Sequence, residues 1–424
     1  MISFLFKGII RDRSRSIFPF LTVVAGVFLT VGLYCYMKGA EFDITRYSAN
    51  MGTGHVKIMT RAYAKEADQF PNDAALTGIG ALITGLQEKY PEFDWAARIL
   101  FGGLLDVPDA KRETRAQGPV AGIAADILSP GSKEPDRLAL KRGLVRGRLP
   151  SKPGEILLSE ELSRKLGLGP GDMATFIGVS MDGSMTMTNF VISGTVRFGA
   201  QALDRMGAIA DVADIREALD MRDAAGEVLG FYKNSLFDRV KAAAAARAFN
   251  TLYVGREDDF LPTMVTLTDQ NGLAAYFTMI EAAQAAIIAI FLLPMSLVLW
   301  NAGLLGSLRR YGEIGVRLAI GEDKGHVYKS MLAESLMIGV LGSVVGTILG
   351  LAVAYWLQTK GIDISGILRN ATILIPTVLH AKITPFSYVI GFIPGLLATF
   401  LGTAIAGRGI YKRQTAQLFK ELET

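Results

Sequence analysis

Four windows of this chain run the length of a bilayer without a Lys, Arg, Asp or Glu: Ile17–Met37, Ala285–Leu305, Leu336–Leu357 and Phe386–Ala406. A hydrocarbon core of ~30 Å takes roughly 20 apolar residues in helix, so each window is long enough to cross. Between the first two lies a long polar stretch, and charged residues make up 20% of the chain against 50% hydrophobic, with a mean hydropathy of +0.33. These values exclude a wholly embedded bundle and an ordinary soluble enzyme alike, and imply a hybrid of spans and a water-facing part. Lys7, Arg11, Arg13 and Arg15 precede the first window, as they would in a signal peptide. The apolar run exceeds the usual h-region and no A-x-A site follows, so we read an uncleaved anchor. Tyr34 before Cys35 also speaks against a lipoprotein box, and the lone cysteine reads as a small apolar residue that can form no internal disulfide.

Charge in the short pieces sets the expected sidedness. Residues 1–16 carry four basic residues against Asp12; 309–329 carries Arg309, Arg310, Arg317, Lys324 and Lys329 against Glu313, Glu322 and Asp323. The tail, 408–424, has Arg408, Lys412, Arg413 and Lys420 against Glu421 and Glu423, whereas 38–276 carries more acidic than basic residues. By the positive-inside rule both termini and 309–329 are cytoplasmic, and 38–276 and 358–385 lie outside. The expected fold is therefore a membrane α-helical protein with four transmembrane helices in a one-plus-three arrangement (17–37, 285–305, 336–357, 386–406) and a large α+β extracytoplasmic domain.

That domain reads as strands at His55–Met59, Glu155–Leu158, Met173–Val179, Phe190–Val196 and Thr251–Val254, with helices at Ala75–Glu88, Glu160–Leu166, Asp214–Met221 and Leu236–Arg247. Pro150-Ser-Lys-Pro-Gly154, Gly169-Pro-Gly-Asp172 and Asp182-Gly183 mark turns. Two subdomains are expected, with a boundary near 100–155, where the pattern is least clear.

Chemistry-bearing motifs are sparse. No G-x-x-x-x-G-K-[ST] run is present to cradle a phosphate, and no G-x-S-x-G elbow. His55, His326 and His380 are far apart, which argues against zinc. Glu160–Glu161 and Asp258–Asp259 are adjacent in sequence, so their carboxylates diverge and read as solvated surface. Glu281, Gln284 and Glu334 sit near span ends, where they read as interfacial rather than as an ion path. The net charge of +4 gives no case for nucleic acid. No catalytic, cofactor-binding or metal-binding residue is expected on this chain.

Two features stand out. Gly342, Gly346 and Gly350 recur every fourth residue in the third span, beside Gly339 and Ser343, a smooth stripe for close helix approach. Internal packing and a homodimer seam are both open on this pattern. Pro294 and Pro394 lie inside the second and fourth spans and should kink them. The second feature is the loop Arg309–Lys324. A helix from about Tyr311 to Ile320 places Ile314, Arg317 and Leu318 on one face, allows a Glu313–Arg317 pair at i, i+4, and stops at Gly321. A docking element and a helix lying on lipid are equally consistent with its composition.

The loop segment resembles the core of the MacB/LolE/FtsX-type ABC transporter permeases. Glu313-Ile-Gly-Val-Arg317-Leu-Ala-Ile-Gly321, Met331-Leu-Ala-Glu334-Ser-Leu and the glycine stripe follow that family's order, and Gly154–Asp172 and Arg11–Ser16 also look like its segments. Gly312 stands where the family has Arg, and Glu322-Asp323 where it has small residues. The resemblance implies a permease of LolC/LolE size without a fused ATPase, a non-catalytic subunit in a bacterial inner membrane. It implies ATPase coupling through Glu313, Ile314, Gly315, Arg317, Leu318 and Gly321, and helix packing through Gly342, Gly346 and Gly350. The implied partners are a cytoplasmic ABC ATPase dimer carrying ATP–Mg, a second permease copy or paralogue, and a periplasmic carrier or adaptor. Lipoprotein release is the leading expected function; MacB-like efflux of peptides or small amphiphiles and FtsX-like signalling are the alternatives.

Overall fold

The computed structural model describes residues 13–109, 113–199, 201–234, 236–270, 273–308, 311–364 and 378–407. The chain divides into two compact units: Met1–Phe42, Thr278–Asp363 and Val378–Thr424 form a helical unit, and Asp43–Phe277 with Ile364–Thr377 a sheet unit.

In the sheet unit the strands are β1 (Val56–Thr60), β2 (Leu76–Thr77), β3 (Phe93–Pro108), β4 (Thr114–Ala125), β5 (Leu144–Gly147), β6 (Glu155–Ser159), β7 (Met173–Val179), β8 (Met185–Val196), β9 (Gly207–Asp211), β10 (Ala224–Ala225), β11 (Glu227–Tyr232) and β12 (Pro262–Thr266). Ten of them join in the order β12–β1–β11–β3–β4–β9–β6–β8–β5, with β7 pairing both β3 and β8. β3 changes partner within its length: it pairs β11 up to Arg98↔Glu227 and β4 from Ile99↔Ala124. Since β7 closes from β8 back onto β3, the strands β3, β4, β9, β6, β8 and β7 form a continuous ring. The ring is thus an insertion between the first half of β3 and β11, within one ten-stranded sheet and one compact unit.

The β6 signature folds as its sequence suggests. The β6 strand is buried along its length; Ser159 then accepts a bond from Leu162 N (3.1 Å) and starts the Glu160–Leu166 helix. Other expectations change. β3 and β4 lie where the sequence pattern was least clear: β3 mixes buried, half-buried and exposed positions without regular alternation, and β4 passes from an exposed start to a run buried on both faces at its end. Thr251–Val254 is not a strand: Thr251–Tyr253 is a 3₁₀ turn continuing the Arg239–Asn250 helix. The expected Ala75–Glu88 helix starts only at Ile79, because Leu76–Thr77 pairs as β2 with β10. Glu160 is not surface but buried, holding Thr195 Oγ1 (2.6 Å), Arg146 and Arg164. Asp258–Asp259 is exposed, with Asp259 paired to Lys65.

The helical unit contains parts of two long helices, Arg13–Ser48 and Leu273–Leu308, the short helix Tyr311–Ala319, and the 37-residue helix Lys324–Lys360. Three segments among the described residues are long and apolar enough to cross a membrane: Ile17–Thr53, Lys324–Lys360 and Pro385–Ile405. The expected second span lies inside Leu273–Leu308, where several side chains fall outside the described set. The fourth segment is not one regular helix. It runs as a 3₁₀ turn, Pro385–Tyr388, then a π-turn, Ile393–Ala398, then α-helix Thr399–Gly407. Pro394 sits in the π-turn, where its missing N–H breaks the α ladder.

Candidate functional site

The short helix between two long apolar ones carries most of the expected coupling residues. It ends where Gly321 takes φ +97°, a conformation that strains any residue with a Cβ. Asp323 then starts the next helix by accepting from Gly325 N (2.8 Å) and His326 N (3.3 Å). Arg317 grips Glu322 through two bonds of 2.6 Å, Nε to Oε2 and Nη2 to Oε1, which clamps the helix to its own stop. These bonds hold the Glu322 carboxyl below its ordinary range. The described partner of Arg317 is therefore Glu322; the side chains of Glu313 and Ile314 lie outside the described set. Two of the three departures noted in the sequence, Glu322 and Asp323, thus have intramolecular work, one neutralising Arg317 and one capping a helix.

Gly315 is buried, and Leu318 is half-buried rather than free. The apolar surface lies instead at Val316 and Ile320, which are 45% and 81% exposed, four residues apart and so on one side. The sequence reading placed Ile314, Arg317 and Leu318 on one face and did not single out Val316 or Ile320. A helical wheel shows an apolar face but cannot say which edge of it the neighbouring helix covers.

The glycine stripe meets the first helix of its own chain. A Cβ on Gly342 would lie 2.7 Å from Val23 Cγ1, one on Gly346 2.7 Å from Val24 O, and one on Gly350 2.8 Å from Val31 Cβ. Gly339 faces the fourth segment, where its Cβ would lie 2.9 Å from Thr399 Oγ1. Val23, Val27, Val31 and Cys35 pack with Ala354, Ala381 and Ile390 as the core of this unit. Gly402, in the last helix, approaches the Trp300 carbonyl closely enough that a Cβ there would lie 2.6 Å away.

The sheet unit holds several of its charges inside. Glu155 accepts from Arg148 Nη1 (2.7 Å) and Ser151 N (2.9 Å), and chiefly the Arg148 bonds pull its pKa down to about 2. Burial opposes ionisation of Glu160, but Thr195, Arg146 and Arg164 outweigh it and hold the group at about 2. Burial drives His55 down to about 4, with Arg137 adding repulsion, and its Nδ1 accepts from Tyr232 N (2.8 Å). That is a neutral core histidine rather than a free ligand. One face of β3, β7 and β8 is apolar and exposed: Leu104 pairs Ile177, which pairs Met187, and Val179 pairs Met185. No group of His, Cys, Asp and Glu suited to a metal ion occurs among the described residues.

Three apolar membrane-length segments among the described residues, a clamped helix just before one of them, and a sheet-rich unit describe a membrane protein with a large folded domain. Residues 285–415 match the FtsX-like permease C-terminal family, covering the clamped helix and the glycine stripe. The chain is 27% identical over 125 residues to the macrolide export ATP-binding/permease protein MacB of Wolinella succinogenes, which is 29% of this chain and 17% of that protein. It is 25% identical over 162 residues to the protein of the same name from Psychrobacter cryohalolentis, 37% of this chain and 24% of that one. The chain thus matches less than a quarter of the length of these curated relatives. The periplasmic region of MacB from Actinobacillus actinomycetemcomitans aligns with 51% of this chain and 91% of its own, at 15% identity and a TM-score of 0.34, too loose a likeness to carry an argument. Residues 285–415 thus carry an FtsX-like permease C-terminal domain, parts of the chain are similar to MacB, and with the apolar segments this points to a membrane protein.

Proposed function

We propose that this chain is the permease subunit of an ABC transporter in which a partner ATPase dimer, carrying ATP–Mg, drives movement of the sheet unit on the far side of the membrane. Four spans with cytoplasmic termini and two permease copies, identical or paralogous, complete the arrangement. The cargo is an amphiphile handled at the outer face, in the first place a lipoprotein released from the membrane to a carrier. The observation that supports this most is the seam between the first and third spans: glycine meets valine so closely that no space for cargo lies between them. MacB-like export of small amphiphiles through an adaptor is the second reading, favoured by the names of the two curated relatives.

The coupling part is tested by variants of the clamped helix. Ile320→Asp places a carboxylate on the exposed apolar edge, where an ATPase groove would have to bury it unpaired. Glu313→Lys reverses the expected orienting charge, and Leu318→Asp tests the half-buried neighbour. All three should keep near-normal abundance in membranes, Ile320→Asp most closely, while Ile320→Asp and Glu313→Lys lose co-purifying ATPase and cargo release. A helix lying on anionic lipid would tolerate Glu313→Lys, so retained ATPase and release in both variants refutes the docking role. Purified alone, the chain should show only background ATP turnover.

A further inference from the structure

The Arg13–Ser48 helix does not simply end. It widens into a π-turn, Ala49–Thr53, closed by a bond from Gly54 N to Ala49 O (2.9 Å), with Gly54 at φ +59°. The last carbonyls of a helix lack intrahelical donors and carry the negative end of its dipole, so a cation there is favourable. Arg98 supplies it. Its Nη1 donates to Asn50 O (2.8 Å) and Met51 O (3.2 Å), and its Nε donates to Glu134 Oε2 (2.6 Å). Glu134 is also bound through Oε1 by Arg137 (2.8 Å), and Arg137 pairs with Asp94 while lying 3.9 Å over the Phe231 ring. Asp94 is on the same strand as Arg98, so the ion pairs return to where they began. Arg98 is 0% and Glu134 2% exposed.

Two facts make this more than a cap. Arg98 is the last residue of β3 paired to β11, and Ile99 the first paired to β4, so the guanidinium sits at the point where the sheet passes into the inserted ring. Glu134 belongs to the insertion, whereas Asn50 and Met51 precede β1. One side chain therefore ties the end of the long helix to both halves of the sheet unit. As a source of stability alone it is a poor choice: apolar residues of similar volume often replace buried ion networks without loss, and Arg98 Nη2 has no partner among the described residues.

Resting on the proposed ATP-driven movement of the sheet unit, we propose that Arg98 is a positioning residue that makes the π-turn and the insertion one joint, so that displacement of the helix end swings the ring about the Arg98–Ile99 step. The test uses the full chain with its partner ATPase in lipid nanodiscs, in a Cys35→Ala background. Spin labels go at Val240→Cys and Met185→Cys, 76% and 75% exposed and on opposite sides of that step. Labelled chain is diluted with unlabelled chain so that only intrachain distances are read. ATP–Mg with vanadate should shift the distance distribution in this background. Arg98→Met combined with Glu134→Met should keep the unfolding temperature within a few degrees and ATPase binding intact, yet lose the shift; Arg98→Lys should retain part of it. Gly52→Ala gives a second route that does not touch the ion pairs, because its Cβ meets nothing within 4 Å. By stiffening the turn it should reduce the shift by at least half. A full shift in both the double variant and Gly52→Ala overturns the joint alone. No shift even with Arg98 and Gly52 intact overturns the ATP-driven movement itself and the joint with it.

Discussion

The two units of this chain solve the same packing problem by opposite means. In the helical unit, helices meet through Gly342, Gly346 and Gly350 against Val23, Val24 and Val31, with backbone nearly touching side chain. In the sheet unit, a large apolar core from Val56 to Met264 coexists with buried pairs such as Lys57–Glu227 (2.6 Å) and Arg98–Glu134. The difference follows from the solvent. Between helices in lipid there is little hydrophobic drive, so close van der Waals contact must supply the affinity. In water, apolar burial supplies a surplus that tolerates charges inside, provided each is paired. Tolerance to substitution should therefore be arranged differently: in the helical unit volume is forbidden, in the sheet unit an unpaired charge.

The largest expected effect tests the second half of that contrast. Glu134→Leu removes the carboxylate shared by Arg98 and Arg137; Arg137 keeps Asp94, but Arg98 is left buried and uncompensated. Breaking a buried pair from one side costs about 3–5 kcal/mol, so the sheet unit should unfold at markedly lower denaturant. The Arg98→Met, Glu134→Met double variant should recover most of that loss; if it is as unstable as the single, the sheet unit tolerates apolar replacement less well than argued. Next comes Gly346→Ala, which forces a methyl to within 2.7 Å of the Val24 carbonyl. Overpacking of this kind costs about 1–3 kcal/mol and should appear as a lower melting temperature in detergent, whereas Gly85→Ala in the sheet unit, with nothing within 4 Å, should not. Equal effects at the two glycines would erase the distinction.

A smaller effect is expected from acid. Glu155 and Glu160 have native pKa values of about 2, below their ordinary range. A depressed carboxylate contributes stability that is present above its unfolded pKa and is lost as pH falls through the folded value. Between pH ~4.5 and ~2 the sheet unit should thus lose stability, measured by thermal unfolding at stepped pH. Glu155→Gln should flatten this slope; an unchanged slope would mean that Arg148 does not set the titration.

Much of the plan was open to reading because it rests on local chemistry. The absence of charge over a membrane length, the Ser159 start of the Glu160–Leu166 helix, the stop at Gly321 and the strand Met173–Val179 all depend on residues within one element. Where the reading failed, the deciding partner was distant. Glu160 looks solvated beside Glu161 until Thr195 and Arg146 arrive from other strands. Arg317 also holds Glu322, a partner beyond the helix end that helical spacing does not point to, where Gly321 bends the chain back.

Amphipathic spacing likewise showed that the Tyr311–Ala319 helix has an apolar face but not that Val316 and Ile320 form its open edge. The glycine period announced a close contact without saying whether Val23, Val24 and Val31 or a second copy would meet it. β3 is the clearest instance. The sequence pattern left this strand unread, and its division at Arg98–Ile99 exists only because β11 and β4 come from sequence more than a hundred residues apart. Span lengths, turns, caps and charge asymmetry were determined by the sequence through short-range sterics and hydration. Which buried charge meets which, which face of a helix is covered, and where one strand passes from sheet to ring were decided by tertiary packing, because burial is a property of all the segments that converge on a residue.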